Sequence, residues 1–143
     1  MEWAAALEAQ PFAQALRASR WTYPLVNTGH ILGLAMLIGA IIPMNLRLLR
    51  GDLRAVQLLR SYAIIGLSIA AVCGGLLFSV QATDYVANSW FRAKIALLVL
   101  ALLNAALHLQ ITDQPLPRQR RVAVGSLGLW TAVLLCGRMI AYS

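Results

Sequence analysis

Charge is what this sequence has least of. Only 12% of its 143 residues are Asp, Glu, Lys or Arg, about half the share of a soluble domain. The acidic residues are Glu2, Glu8, Asp52, Asp84 and Asp113, and none falls inside a long apolar run. Proton transfer along intramembrane carboxylates therefore lacks its parts. No G-x-S-x-G, no H-E-x-x-H and no paired carboxylates occur either, so no conventional catalytic set is visible. Cysteine is scarce, with Cys73 and Cys136 both inside apolar runs. Two such thiols make no secreted disulfide framework and are usually small apolar fillers. The N-terminus lacks a basic leader region, carries Glu2 and Glu8, and has its apolar stretch interrupted by Pro11. It does not read as a cleavable signal, so the first long apolar run must direct insertion.

Apolar residues make up 60% of the chain. Four runs are long enough to cross a bilayer core, which takes about 20 apolar residues. They cover residues 23–44, 62–80, 93–111 and 122–142, with short gaps between them. Pro24 suits a first helical turn. Pro43 predicts a kink before "MNLRLL", and Pro115 with Pro117 predict a non-helical third gap. Closely joined spans are normally antiparallel neighbours. The expected architecture is an all-α integral membrane four-helix bundle over residues 21–143, preceded by an interfacial amphipathic segment over residues 1–20. That segment mixes polar and apolar residues at helical spacing, with Trp3, Leu7, Phe12 and Leu16 as anchors and a break at Pro11. A loosely ordered tail is the plain alternative.

The net charge of +7 does not point to nucleic acid, because the basic residues sit in the gaps between spans. There they act as topology signals and lipid-headgroup contacts. Arg47, Arg50, Arg54, Arg60, Arg118, Arg120 and Arg121 lie on one side; Arg17, Arg20, Arg92, Lys94 and Arg138 lie on the other. Seven against five favours cytoplasmic first and third loops, with both termini periplasmic. Trp21, Tyr23, Tyr85, Trp90 and Tyr142 form the matching outer aromatic belt. Small residues recur at four-residue spacing: Gly29 and Gly33; Gly66, Ala70 and Gly74; Ala101 and Ala105; Gly128, Ala132 and Cys136. Such stripes let membrane helices approach closely, within one chain or between two copies as a homodimer.

The only histidines, His30 and His108, both fall inside spans. Each has an amide on its own helical face, Asn27 and Asn104, able to orient its second nitrogen as in metal-ligating imidazoles. One haem between the two is disfavoured, because helix rise places them about 15 Å apart in depth. The outer third instead gathers His30, Cys136, Arg138 and Met139, with Cys73 close to mid-span. A haem b would take His30 as axial ligand, with Met139 or the same histidine of a second copy opposite. Arg138, Arg92 and Lys94 would meet its propionates, and Trp130 could pack on its plane. The soft donors His30, Cys73, Cys136 and Met139, with His108 as a further imidazole, also suit copper(I). Against both stand plainer readings. Buried imidazoles often just hydrogen-bond, Arg138 can snorkel or pair with Asp84, and methionines and Trp130 can simply fill the core.

Five motifs occur in order: "W-x-Y-P-L-V-x-T-x-H-I-L-G-L" from Trp21, "N-L-R-L-L" from Asn45, "N-S-W-F-R-A-K" from Asn88, "N-A-A-L-H" from Asn104 and "C-G-R-M-I-A-Y" from Cys136. Together they resemble a family of small bacterial inner-membrane proteins of unknown function, distantly similar to copper-resistance-D proteins and small haem-b membrane cytochromes. The resemblance spans nearly the whole chain. It implies a four-helix membrane fold and assigns no established activity. In that pattern a Glu often stands at Asn27 and an Asp at Asn45, and the third-span histidine comes one residue later relative to the Asn. Both carboxylates are amides here, so any proton or cation chemistry they carry in relatives does not transfer. His30 and the "C-G-R" of Arg138 do match the pattern.

Overall fold

The structure is a computed structural model and describes residues 2–143. Two short helices, α1 (Glu2–Glu8) and α2 (Pro11–Ala18), precede the first span. The break falls at extended Gln10, and Pro11 opens α2, where its missing N–H costs nothing. Burial in this segment is carried by Ala4, Ala13 and Leu16, whereas Trp3 and Phe12 stay half exposed. The small alanines allow α1 and α2 to lie close on their neighbours, and the aromatic rings are left at the rim. Trp3 still stacks on Phe78, 6.4 Å between centroids.

The first span is α3 (Thr22–Leu49), 28 residues, or about 42 Å of helix. Pro43 lies inside it without ending it, so the helix continues through "MNLRLL". The helix stops where Gly51 takes a φ of 77°. Gly51 N–H donates to the Leu48 carbonyl and Asp52 N–H to that of Arg47, at 3.1 and 3.0 Å. This pairing closes a helix end around a left-handed residue that favours glycine.

The chain returns through α4 (Val56–Val80) and crosses the bundle end on α5 (Ala82–Ala87). It re-enters as α6 (Ser89–Leu107), capped by Asn88 Oδ1, which accepts from the Trp90 and Phe91 amides. A 3-10 turn, His108–Asp113, ends the third span. The last span, α7 (Leu116–Met139), is followed by a final turn at Ile140–Tyr142. The third gap is shorter than its prolines predict. Pro115 is the N-cap and Pro117 sits in the first helical turn, where proline is tolerated.

The four long helices form an all-α bundle in which consecutive spans run antiparallel. α4 packs on α3, α3 on α7 and α7 on α6, while α4 and α6 make no comparably close approach. One apolar cluster (Leu37, Ile41, Met44, Ala63, Ala101, Trp130) fills the middle, drawing on all four helices. A smaller one (Leu48, Ile111, Val122, Ala123) fills the end that carries the first and third loops. Outward, large apolar side chains remain exposed along every span, among them Leu25, Val72, Leu103 and Leu135 at 61–68%. All four spans are long and apolar enough to cross a bilayer. A soluble bundle could not leave such surface to water, so the molecule is a multi-pass membrane protein.

Candidate functional site

The bundle has two polar regions, one in the half nearer the termini and one in the half nearer the first and third loops. In the terminal half, α3 and α4 meet backbone to backbone. A Cβ at Gly33 would stand 2.5 Å from the Ala70 nitrogen, and one at Gly66 would stand 2.6 Å from the Leu37 nitrogen. The small stripes on spans one and two thus face each other within one chain. The stripe expected on span four is not used this way, since Gly128 is exposed with open space around its Cα. Gly125 and Gly137, one position out of that register, face α6 instead.

The close crossing seats His30. Its ring lies against Gly74, where a Cβ would come within 2.9 Å of Cε1. Its Nδ1 is 2.8 Å from the Ala70 carbonyl oxygen. A carbonyl can only accept, so Nδ1 carries the proton and the neutral ring presents a bare lone pair at Nε2. The orienting group is a main-chain carbonyl of α4 rather than Asn27, which is exposed and makes no hydrogen bond to the ring. Cys73 Sγ fills the space over Gly29, 2.9 Å from where a Cβ would stand.

Lys94, half buried on α6, lays its side chain over Gly137 of α7. It has no carboxylate partner, since the one ion pair among the described residues is Arg47–Asp52 at 2.6 Å. Arg138 faces outward, donating to the Tyr142 hydroxyl at 2.7 Å with its guanidinium 4.9 Å from that ring's centroid. The pairing with Asp84 does not form. Arg92 and Met139 are exposed, while Trp130 is 4% exposed and belongs to the central apolar cluster. Among the described residues no three His, Cys, Asp or Glu side chains group closely enough to hold a metal ion. His30, Cys73 and Cys136 are therefore not gathered into one ligand set.

The loop-side half is organised differently. Every long helix contributes a polar side chain: Asn45 from α3, Arg60 from α4, Asn104 from α6 with His108 just beyond it, and Ser126 from α7. Asn45 is fully buried, and its Nδ2 donates to the Ile41 carbonyl at 2.8 Å and to Ser126 Oγ at 3.1 Å. Asn104 Nδ2 donates to the Val122 carbonyl at 3.4 Å. Gly125 makes room for it, since a Cβ there would stand 3.2 Å from that nitrogen. Arg60 donates through a terminal nitrogen to the His108 carbonyl, bridging α4 to the end of the third span. His108 is 4% exposed. Neither ring nitrogen makes a well-formed hydrogen bond; the acceptor the ring faces is the Val122 carbonyl, which Asn104 also uses, so Asn104 does not orient it as its spacing predicts.

Sequence reading singles out Asn104 and His108 here but misses Arg60 and Ser126, and it notes Asn45 only as a departure from a family pattern. The available signal was the shared depth of five polar residues on four spans. Arg60 hid it by resembling one more loop cation.

Comparison of the chain with protein-family models, with curated proteins and with solved structures finds no match in any of the three.

Proposed function

We propose that the protein is a haem-b-binding, redox-linked component of the bacterial inner membrane, with His30 as an axial ligand. One observation carries this reading: the Ala70 carbonyl fixes the protonated nitrogen of His30 and leaves Nε2 bare within the first span. Metal-ligating histidines are held this way, their second nitrogen donating to a carbonyl that sets tautomer and ring direction. The bare nitrogen of His30 and the Lys94 ammonium, which has no carboxylate partner among the described residues, fit a group that offers both a metal and carboxylates. A bound haem would supply one-electron exchange. This chain's part is to orient His30, to place Lys94 against an anionic group, and to offer Arg92 and Arg138 at the outer rim. A second ligand would come from Met139 or from His30 of a second copy, and the latter would make a homodimer part of the reading. The loops with the larger share of arginine face the cytoplasm and both termini the periplasm, which reporter fusions at Ser143 check.

The deciding measurement is an absorption spectrum of protein purified from cells supplied with haem. A Soret band that disappears in His30→Ala is the expected result, and no band in the wild type sinks the reading. A second reading is a non-catalytic membrane module or partner subunit whose polar groups only lock the helices. It is favoured by the glycine crossing of α3 and α4, where the His30–Ala70 bond also serves as a packing contact. It predicts that His30→Ala lowers thermal stability and changes no spectrum.

A further inference from the structure

The loop-side polar layer is independent of His30 and of anything bound there. Five of its buried side-chain atoms make no well-formed hydrogen bond: Asn45 Oδ1, Arg60 Nε, Asn104 Oδ1 and both ring nitrogens of His108, whose ring faces only the Val122 carbonyl that Asn104 already uses. A buried polar atom left unpaired is strongly unfavourable, more so in a bilayer than in a soluble core, and native structures rarely keep one. Five drawn from three helices, in one layer of one bundle, mark a place where something else completes the bonding.

We infer that this layer is an internal hydration site holding a small cluster of water molecules within the membrane-embedded bundle. The atoms themselves select the ligand. The two amide oxygens and one nitrogen of a neutral imidazole accept, whereas the guanidinium Nε–H and the other imidazole nitrogen donate. A cation would meet the Arg60 charge, and an anion would meet both amide oxygens. Water donates and accepts, and buried waters usually bridge about three polar groups that lack other partners.

Position agrees with chemistry. On α3, α6 and α7 the layer lies between the central apolar cluster and the Leu48–Ile111–Val122–Ala123 cluster of the loop end, while on α4 Val56 and Ala63 of the central cluster flank Arg60 on both sides. That confines the water and separates it from His30. The route in is the α4/α6 side, where the helices do not approach closely and half-buried Arg60 forms the bridge.

Magnetisation transfer from water, measured by NMR on the full chain in nanodiscs, tests the site without altering it. The side-chain amides of Asn45 and Asn104 should show water cross-peaks. The backbone amide of Ala101, fully buried one turn away, should show none. Cross-peaks missing from both side chains would overturn the proposal. So would equal cross-peaks at Ala101, because they would mean that water penetrates the bundle generally. Asn104→Leu supplies a second arm. Expelling the water leaves His108 and Asn45 unserved, so the melting temperature should fall by several degrees. An unchanged or raised melting temperature would mean a dry layer, and the proposal fails.

Discussion

The two halves of this bundle are held together by opposite means. Near the termini, α3 and α4 touch through glycines, and His30 at their contact is bonded to a carbonyl. Near the loops, side chains meet from all four helices, and more polar atoms are presented than the protein itself satisfies. Lipid tails are as apolar as leucine, so burying apolar surface does little to bring membrane helices together. Close backbone packing and interhelical hydrogen bonds are what remain. This chain spends the first on one half and the second on the other. The packed half should resist added volume, whereas the polar half should resist loss of donors.

Adding volume tests the first half most severely. Gly33→Leu drives a side chain into the Ala70 backbone, which already stands 2.5 Å from an ideal Cβ. Backbone cannot rotate away as a side chain can, so a loss of about 3 kcal/mol or more is expected, read as thermal unfolding in detergent. Gly39→Ala is the control. It lies on the same helix with nothing within 4 Å of its Cβ, and it should be neutral or stabilise by up to about 1 kcal/mol. If both variants behave alike, the α3–α4 contact is not what organises that half.

Removing donors tests the other half. Arg60→Ala deletes the bridge from α4 to the His108 carbonyl and should cost about 1.5–3 kcal/mol, as for hydrogen bonds from charged groups. Asn45→Ala deletes bonds to Ile41 and Ser126 but also removes an unpartnered oxygen, so about 1 kcal/mol is expected. A double-mutant cycle of Asn45→Ala with Ser126→Ala should show coupling of about 0.5–1 kcal/mol. Zero coupling would mean that the Asn45–Ser126 contact does not join α3 to α7 energetically.

Much of the packed half was legible in the sequence. Gly29, Gly33, Gly66, Ala70 and Gly74 recur at a spacing that has one common use between membrane helices, and the structure uses them so. The four spans followed from apolar length alone. Less legible was anything that depends on which way a side chain faces across the bundle. Asn27 and His30 share a helical face by spacing, yet the ring turns to a carbonyl on another helix, forty residues away. Gly128 continues a stripe on paper but faces outward, because α7 meets α6 through Gly125 and Gly137. The polar layer was the hardest to foresee. Its members lie on four spans with no pattern along the chain, and only the relative depth of the helices brings them together.

The extramembrane ends repeat the contrast more weakly, each through a carboxylate held below its ordinary range. Glu8 Oε1 accepts from the Thr83 amide and hydroxyl, both at 2.7 Å, tying α1 to the first turn of α5. These bonds, first the hydroxyl and then the amide, favour the ionised form and lower its pKa from 4.5. At the loop end, the Arg47 guanidinium is the largest cause lowering Asp52 from 3.8. A carboxyl depressed in the folded state contributes stability that is present above its unfolded pKa and lost as pH falls through the folded one. Both tethers should therefore hold at neutral pH and release only as the pH falls below the ordinary carboxylate range. Hydrogen exchange at the α5 amides, followed from pH 6 to 3 after correction for the intrinsic rate, should show protection falling at the acid end. Glu8→Gln should lower that protection at neutral pH and leave little further fall on acidification. The same variant should leave exchange around Asp52 unchanged, because the whole length of the bundle separates the two ends. A fall in protection at both ends together would mean that the halves open as one unit.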